Sequence, residues 1–224
     1  MKKLLPVLFI AGAFLSGCAQ NTVSEDKYSG FLSDYSVLTD SATNDNAKNY
    51  VASGVDWSQY SNVMVDKVLI ITPDNATNEV DQALLVKIAD RYQALLKQKL
   101  SQNFSVVDQA GPGTLRLQAA ITSVYLSYDD MKAYQYIPIA AAVTGISRAS
   151  GASDKRLRVV SEVKVMDSVN GKLLAEAIDL ESGDKAIDET DKVQLSDVAP
   201  VLDFWAGRIS SRLANLVWLK NKHL

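Results

Sequence analysis

Apolar positions recur at helical spacing in two places along the chain. Within residues 79–103, Leu85, Ile88, Ala89, Tyr92, Leu96 and Leu100 fall on one stripe, with Lys87, Arg91, Gln98 and Lys99 off it. That spacing predicts an amphipathic helix covering a core. Asn78 or Thr77 can cap its start, Glu79 and Asp81 stand near its positive dipole end, and Lys97 and Lys99 near the negative one. From about Asp197 to Lys220, Leu202, Trp205, Ile209, Leu213 and Leu216 form a second stripe. Pro200 fits that helix if it lies in the first turn, where no donor is missed.

Between and before the helices the period is two. Residues 62–71 are a β-branched run closed by Thr72-Pro73-Asp74, and residues 105–108 make a short strand ahead of the turn at 111–113. In residues 114–128, Leu115, Leu117, Ala119 and Ile121 alternate with Thr114, Arg116, Gln118 and Thr122. The phase then slips to Val124, Leu126 and Tyr128. A one-residue slip predicts a bulge or bend near Thr122-Ser123. Leu157, Val159, Val163 and Val165 alternate with Arg156, Arg158, Glu162 and Lys164, and Asn170-Gly171 signals a hairpin into residues 173–181. Residues 182–194 read as a charged loop.

Two amphipathic helices need one sheet face to cover. The expected class is therefore α/β (α+β), a two-layer sandwich of a mixed β-sheet with both long helices on one face. Residues 62–224 are expected to form this single domain. Residues 19–61 show no sustained period; the first part, to about Lys27, reads as a flexible tether. Phe31, Leu32, Tyr35 and Leu38 are too apolar for a free linker, so that piece is expected to dock on the domain, with Trp57 and Tyr60 pinning its end.

The amino end carries a different pattern. Lys2 and Lys3 precede an apolar run over residues 4–15, and Ser16 and Gly17 stand before Cys18, the chain's one cysteine. The run is too short to cross a bilayer core as a helix, which takes about 20 residues. It has the three-part form of an export signal over residues 1–17. The string Leu15-Ser16-Gly17-Cys18 resembles a bacterial lipobox. That resemblance implies a mature chain beginning at Cys18 with a diacylglyceryl thioether, a palmitate-type acyl group on the amine, and attachment to an envelope membrane. Residues 18–61 are then a lipidated tether and docking segment. Ala19 stands where many inner-membrane lipoproteins carry Asp, which by the same resemblance implies the periplasmic face of the outer membrane.

Charge agrees with a lipid anchor. The 224 residues carry a formal net charge of −3, which becomes −5 without Lys2 and Lys3. An acidic domain is a poor partner for nucleic acid and gains nothing from an anionic bilayer surface. Buried acyl chains, at about 0.8 kcal/mol per CH₂, supply the attachment instead.

Candidate chemistry is sparse. One histidine, His223, lies next to the end of the chain, and the one thiol is assigned to lipid. No Ser-His-Asp or Cys-His arrangement follows, and four nitrogen or sulfur ligands for a structural zinc do not exist. No catalytic residue, metal ligand or cofactor is therefore assigned. Asp184, Asp188, Glu189 and Asp191 are the densest acidic group but lack the spacing of a calcium loop. Asp129-Asp130 would point to opposite faces of a strand, Gly111-Pro112-Gly113-Thr114 lacks the end of a phosphate loop, and Asn75-Ala76-Thr77 has no meaning as a glycan acceptor in a bacterial envelope. The apolar stretch holding Ile137, Ile139, Ala141, Val143 and Ile146 reads either as a buried strand or helix segment closing the sheet or as an exposed lip contacting a partner chain or lipid. Tyr125, Tyr128, Tyr134 and Tyr136 fit sheet edges better than a ligand groove.

The strings SGFLSDYSVL, VDWSQYSNVMVDKV, GPGTLRLQAAITSV, DSVNGKLLAEAIDL and VLDFWAGRISSRL resemble, in order, the blocks of a bacterial outer-membrane lipoprotein family catalogued as a domain of unknown function. They run from about residue 29 to 213. The resemblance implies an envelope lipoprotein and supplies no activity, cofactor or catalytic residue. Three functional classes follow: a non-enzymatic module that binds or assembles with another envelope protein, a carboxylate-dependent envelope hydrolase, and a carrier of an apolar ligand.

Overall fold

Thr114–Tyr128 lies inside the sheet, flanked by strands from earlier and from later in the chain. The computed structural model describes residues 23, 25, 28–71, 82–128, 137–138, 155–187 and 193–220. In chain order the strands are β1 (Thr39–Ser41), β2 (Asn44–Val51), β3 (Asn62–Val65), β4 (Leu69–Ile70), β5 (Ser105–Val106), β6 (Thr114–Tyr128), β7 (Ile137–Pro138), β8 (Lys155–Asp167) and β9 (Leu173–Ile187). Helix α1 (Gln82–Leu100) separates β4 from β5, and α2 (Leu195–Lys220) follows β9. The sheet order is β1-β2-β9-β8-β6-β3-β5, with β4 and β7 also on β6. β3 and β4 run parallel to β6, β3 runs parallel to β5, and the remaining pairs are antiparallel. This is the mixed sheet that the two helical stripes demanded.

Both helices cover one face. Val63, Val65, Leu115, Leu117, Ala119, Ile121, Leu157, Val159, Val163 and Val165 meet Ile88, Tyr92, Leu96, Leu100, Leu202, Trp205 and Leu213 in one continuous buried cluster. Tyr92 of α1 and Trp205 of α2 lie 5.9 Å apart between ring centres at 45°, a tilted aromatic pair that joins the helices over the sheet. The phase slip in β6 is a bulge: its register against β8 shifts between Ile121 and Ser123. After the shift Val124 returns to the helix face and packs on the core.

Four local expectations are corrected. The run 62–71 is two strands, since β3 ends at Val65 and β4 begins at Leu69. At the break Asp66 turns its carboxylate onto Arg116, 2.8 Å from Nη2, and onto Gln118 Nε2 at 2.7 Å. Residues 182–187 are strand, not loop, because β8 still offers its edge there: Arg158 pairs with Ser182 and Arg156 with Ala186 across a bulge. Gly183 is the residue that fits this approach, since a Cβ would meet Leu157 Cβ at 3.3 Å. Helix α2 starts at Leu195, so Pro200 lies inside it, past the first turn. Pro200 and Ser196, whose carbonyl loses the helical partner, are both exposed, so the break falls on the solvent side of the helix. Finally, residues 39–51 hold two strands where no period was visible: β2 pairs with β9 from Ala47↔Asp179 to Val51↔Ala175.

Candidate functional site

The sheet face away from the helices is covered in part by the segment that follows the amino end. Gly30, at φ +78°, takes a left-handed conformation that favours glycine. Asp34 then nucleates a single turn over Tyr35–Val37 by accepting Ser36 N–H at 2.9 Å and Ser36 Oγ–H at 2.6 Å. These bonds put Tyr35 over the sheet. Its hydroxyl accepts Gly30 N–H at 3.0 Å and Leu32 N–H at 3.4 Å, and donates to Glu162 Oε2 at 2.6 Å. The other oxygen of Glu162 accepts Ser29 N–H at 3.3 Å. One carboxylate thus collects the polar attachments of the whole segment.

Apolar contacts close around it. Leu32 and Val23 are buried with Val160 and Ile178 in a cluster separate from the main core, with Phe31, Leu38 and Leu180 packed on its edge. Tyr28 and Tyr35 stack at 4.1 Å, and Lys164 Nζ lies 4.4 Å from the centre of the Phe31 ring. Alternation along β8 and β9 places the floor: Glu162 opposes Ile178, and Lys164 opposes Glu176. Glu162 is fully buried and Glu176 is 2% exposed. Neither carboxylate oxygen of Glu176 has a hydrogen-bond partner among the described residues. Burial raises its pKa, Lys164 opposes that rise, and Asp34 and Glu162 add to it. The Tyr35 phenol is also pushed up, by burial first and by its bond to Glu162 second.

A second polar group lies on the helix face. Arg208 of α2 pairs with Asp179 Oδ2 at 3.0 Å and with Glu181, both on β9. Burial raises the Asp179 carboxyl to about 6, against the opposing charge of Arg208. One turn on, Arg212 donates to Ser41 Oγ and Thr43 Oγ1, both at 2.8 Å, and ties the β1–β2 turn to the helix. Tyr92 and Ser161 hydroxyls meet at 3.3 Å beneath it. These groups join elements; they present no nucleophile beside a base.

Most residues singled out by the sequence fall elsewhere. Cys18 lies outside the described residues, as do Ile139, Ala141, Val143 and Ile146. Ile137 is in β7, paired through the backbone with Leu126. Asp129, Asp130, Asp188, Glu189, Asp191 and His223 are outside the described residues, and Asp184 belongs to β9. Among the described residues no three His, Cys, Asp or Glu side chains are placed to hold a metal ion, and no helix is long and apolar enough to cross a membrane. Glu162 and Glu176 were missed because an alternating strand shows which residues share a face, and nothing about what covers that face. The available signal was SGFLSDYSVL, whose apolar residues needed a surface.

The chain is similar to known proteins along most of its length. The chain is 29% identical over 191 residues to the uncharacterized lipoprotein YdcL of Escherichia coli strain K12, covering 84% of this chain and 86% of that one. Among solved structures it is similar to the hypothetical protein CT253 of Chlamydia trachomatis, at 11% identity and a TM-score of 0.45, covering 70% of this chain and 98% of that one. A PelC dodecamer from Paraburkholderia phytofirmans matches at 12% identity and a TM-score of 0.39, over 74% and 97% of the respective chains. The family model described as a protein of unknown function, DUF3313, matches residues 27–209, and the chain belongs to that family.

Proposed function

We propose that this chain is a lipid-anchored protein of the cell envelope whose α/β domain is a non-enzymatic binding or assembly module. In this reading residues 1–17 are removed, Cys18 carries the lipid, and the module stands on the periplasmic face of the outer membrane. The observation that carries it is the agreement of two independent facts. The chain's one cysteine follows Leu15-Ser16-Gly17 behind a short apolar run. A relative spanning 84% of the chain is named a lipoprotein. The polar groups described above hold elements of the domain together, Arg208 with Asp179 on one sheet face and Tyr35 with Glu162 on the other.

The anchor is tested by Cys18→Ser. The variant is expected to stay unprocessed or to leave the detergent phase, and unchanged partitioning overturns the anchor. The binding role is tested by crosslinking in intact cells, followed by Ala141→Asp with Val143→Asp. A folded variant that loses the captured partner supports the role of the 137–146 segment. Loss of folding assigns that segment to the core.

A further inference from the structure

We propose that residues 28–38 are a releasable strap that sets how far the domain stands from its membrane anchor. The reach argument rests on the lipid at Cys18. With Val23 buried under the strap, five residues lead from Cys18 to the domain. Extended chain spans at most about 3.5 Å per residue, so the docked domain stays within roughly 17 Å of the lipidated residue. With the strap released, the first fixed residue is Thr39 at the start of β1. The same rule then allows up to about 70 Å, with a root-mean-square span of about 25 Å for a flexible chain.

Three features make release a local event. The strap's buried cluster of Val23, Leu32, Val160 and Ile178 is separate from the core that holds the helices to the sheet. Opening it leaves that core intact. Its polar attachments converge on Glu162, through Ser29 N–H and the Tyr35 hydroxyl, which also holds Gly30 and Leu32. Losing one carboxylate therefore frees the turn as a unit. Thirdly, the covered floor contains Glu176, 2% exposed with both oxygens unbonded among the described residues, beside the like charge of Glu162. A buried carboxylate without hydrogen bonds opposes its own burial. Docking thus sets apolar contact and the Glu162 bonds against the hydration that Glu176 regains when the strap lifts.

Opposite substitutions on the same floor test this. Hydrogen exchange of the full lipidated chain reads amide protection of residues 28–38 against that of α1. Glu162→Gln is expected to lower strap protection at least tenfold, and Glu176→Met to raise it, with α1 unchanged in both. Equal protection in all three proteins, or changes that track α1, overturn the strap and make the segment a fixed part of the domain. Reach is read separately with a dye on Val169→Cys, in an exposed turn, and an acceptor in phosphatidylethanolamine–phosphatidylglycerol vesicles. Glu162→Gln is expected to lower energy transfer below the parent, and Glu176→Met to keep it at or above the parent. A parent protein that fails to stay on the vesicles overturns the anchor while the exchange result still decides the latch. Unchanged transfer in Glu162→Gln on loaded vesicles overturns the change in reach.

Discussion

Tyr60 donates its hydroxyl to Asp167 Oδ2 at 2.8 Å, fastening the turn before β3 to the hairpin between β8 and β9, 107 residues away. The other oxygen of Asp167 accepts the N–H groups of Val169 and Asn170 at 2.9 and 3.0 Å. Those bonds favour the ionised carboxylate. Asp167 is accordingly held below the usual carboxylate range, by the Asn170 N–H first and with help from Tyr60, against burial. A depressed native pKa means stability present above the unfolded value and lost as pH falls through the native one. Asp167→Ala is expected to cost about 1–2 kcal/mol at neutral pH, the scale of the hydrogen bonds removed. In urea titrations the difference from the parent should shrink at the acid end; a difference independent of pH would refute the ionised cap.

The tyrosines set the alkaline limit. Burial pushes Tyr60 up to about 12, with Asp167 adding to the effect, and burial pushes Tyr92 up as well. Unfolded phenols ionise near the ordinary value of about 10. The stabilisation is therefore complete below that pH and is lost as pH rises toward the native values. Stability is expected to fall from about pH 10 upward, and Tyr60→Phe should flatten the fall between about 10 and 12. Urea midpoints across that range check it.

Much of this frame is visible in the sequence because burial on one face imposes a period. Leu85, Ile88, Ala89, Tyr92, Leu96 and Leu100 are all buried where their spacing put them. The slip at Thr122-Ser123 and the Asn170-Gly171 turn follow from period and turn chemistry alone. What period cannot show is pairing driven by the backbone. β1 and β2 lie at the sheet margin, and of the residues in β2 with described side chains only Ala47 is buried, so Asn46, Lys48, Asn49 and Tyr50 leave no apolar alternation to read. The strap face fails for another reason. Glu162 and Lys164 look like a solvated row until residues 28–38, more than a hundred positions earlier, are laid over them.

Two glycines with the same backbone sign separate strain from crowding. Gly171 has φ +71° with nothing within 4 Å of an added Cβ, so Gly171→Ala is expected to cost about 1 kcal/mol, the left-handed penalty alone. Gly113 has φ +68°, and a Cβ there would meet the Gln59 carbonyl at 2.8 Å. Its own carbonyl accepts Ser61 and Asn62 N–H, both at 3.1 Å, so the loop cannot retreat without losing those bonds. Gly113→Ala should therefore cost about 1–3 kcal/mol more than Gly171→Ala, the scale of a lost buried hydrogen bond. Denaturation midpoints of the two variants decide the order, and equal losses would refute the crowding.

Arg208 carries the largest expected electrostatic effect. Its guanidinium stands between Asp179 and Glu181 with 13% of the side chain exposed, so the pair is largely out of water. Removing one member of such a pair leaves charge uncompensated and costs about 3–5 kcal/mol. Arg208→Met keeps the packing stem and removes the charge. Asp179 then loses the stronger of the two cations that oppose its burial, Arg212 remaining, and its pKa rises further above about 6. A carboxyl raised in the native state is best tolerated below its unfolded pKa, and its cost grows as pH rises through the native value. The loss on Arg208→Met is accordingly expected to be large at neutral pH and smaller near pH 4, where Asp179 is protonated. Adding Asp179→Asn should recover part of the neutral-pH loss and remove much of the pH dependence. Urea unfolding of both variants at the two pH values checks this, and a loss that is the same at each pH would show that Arg208 acts through packing alone.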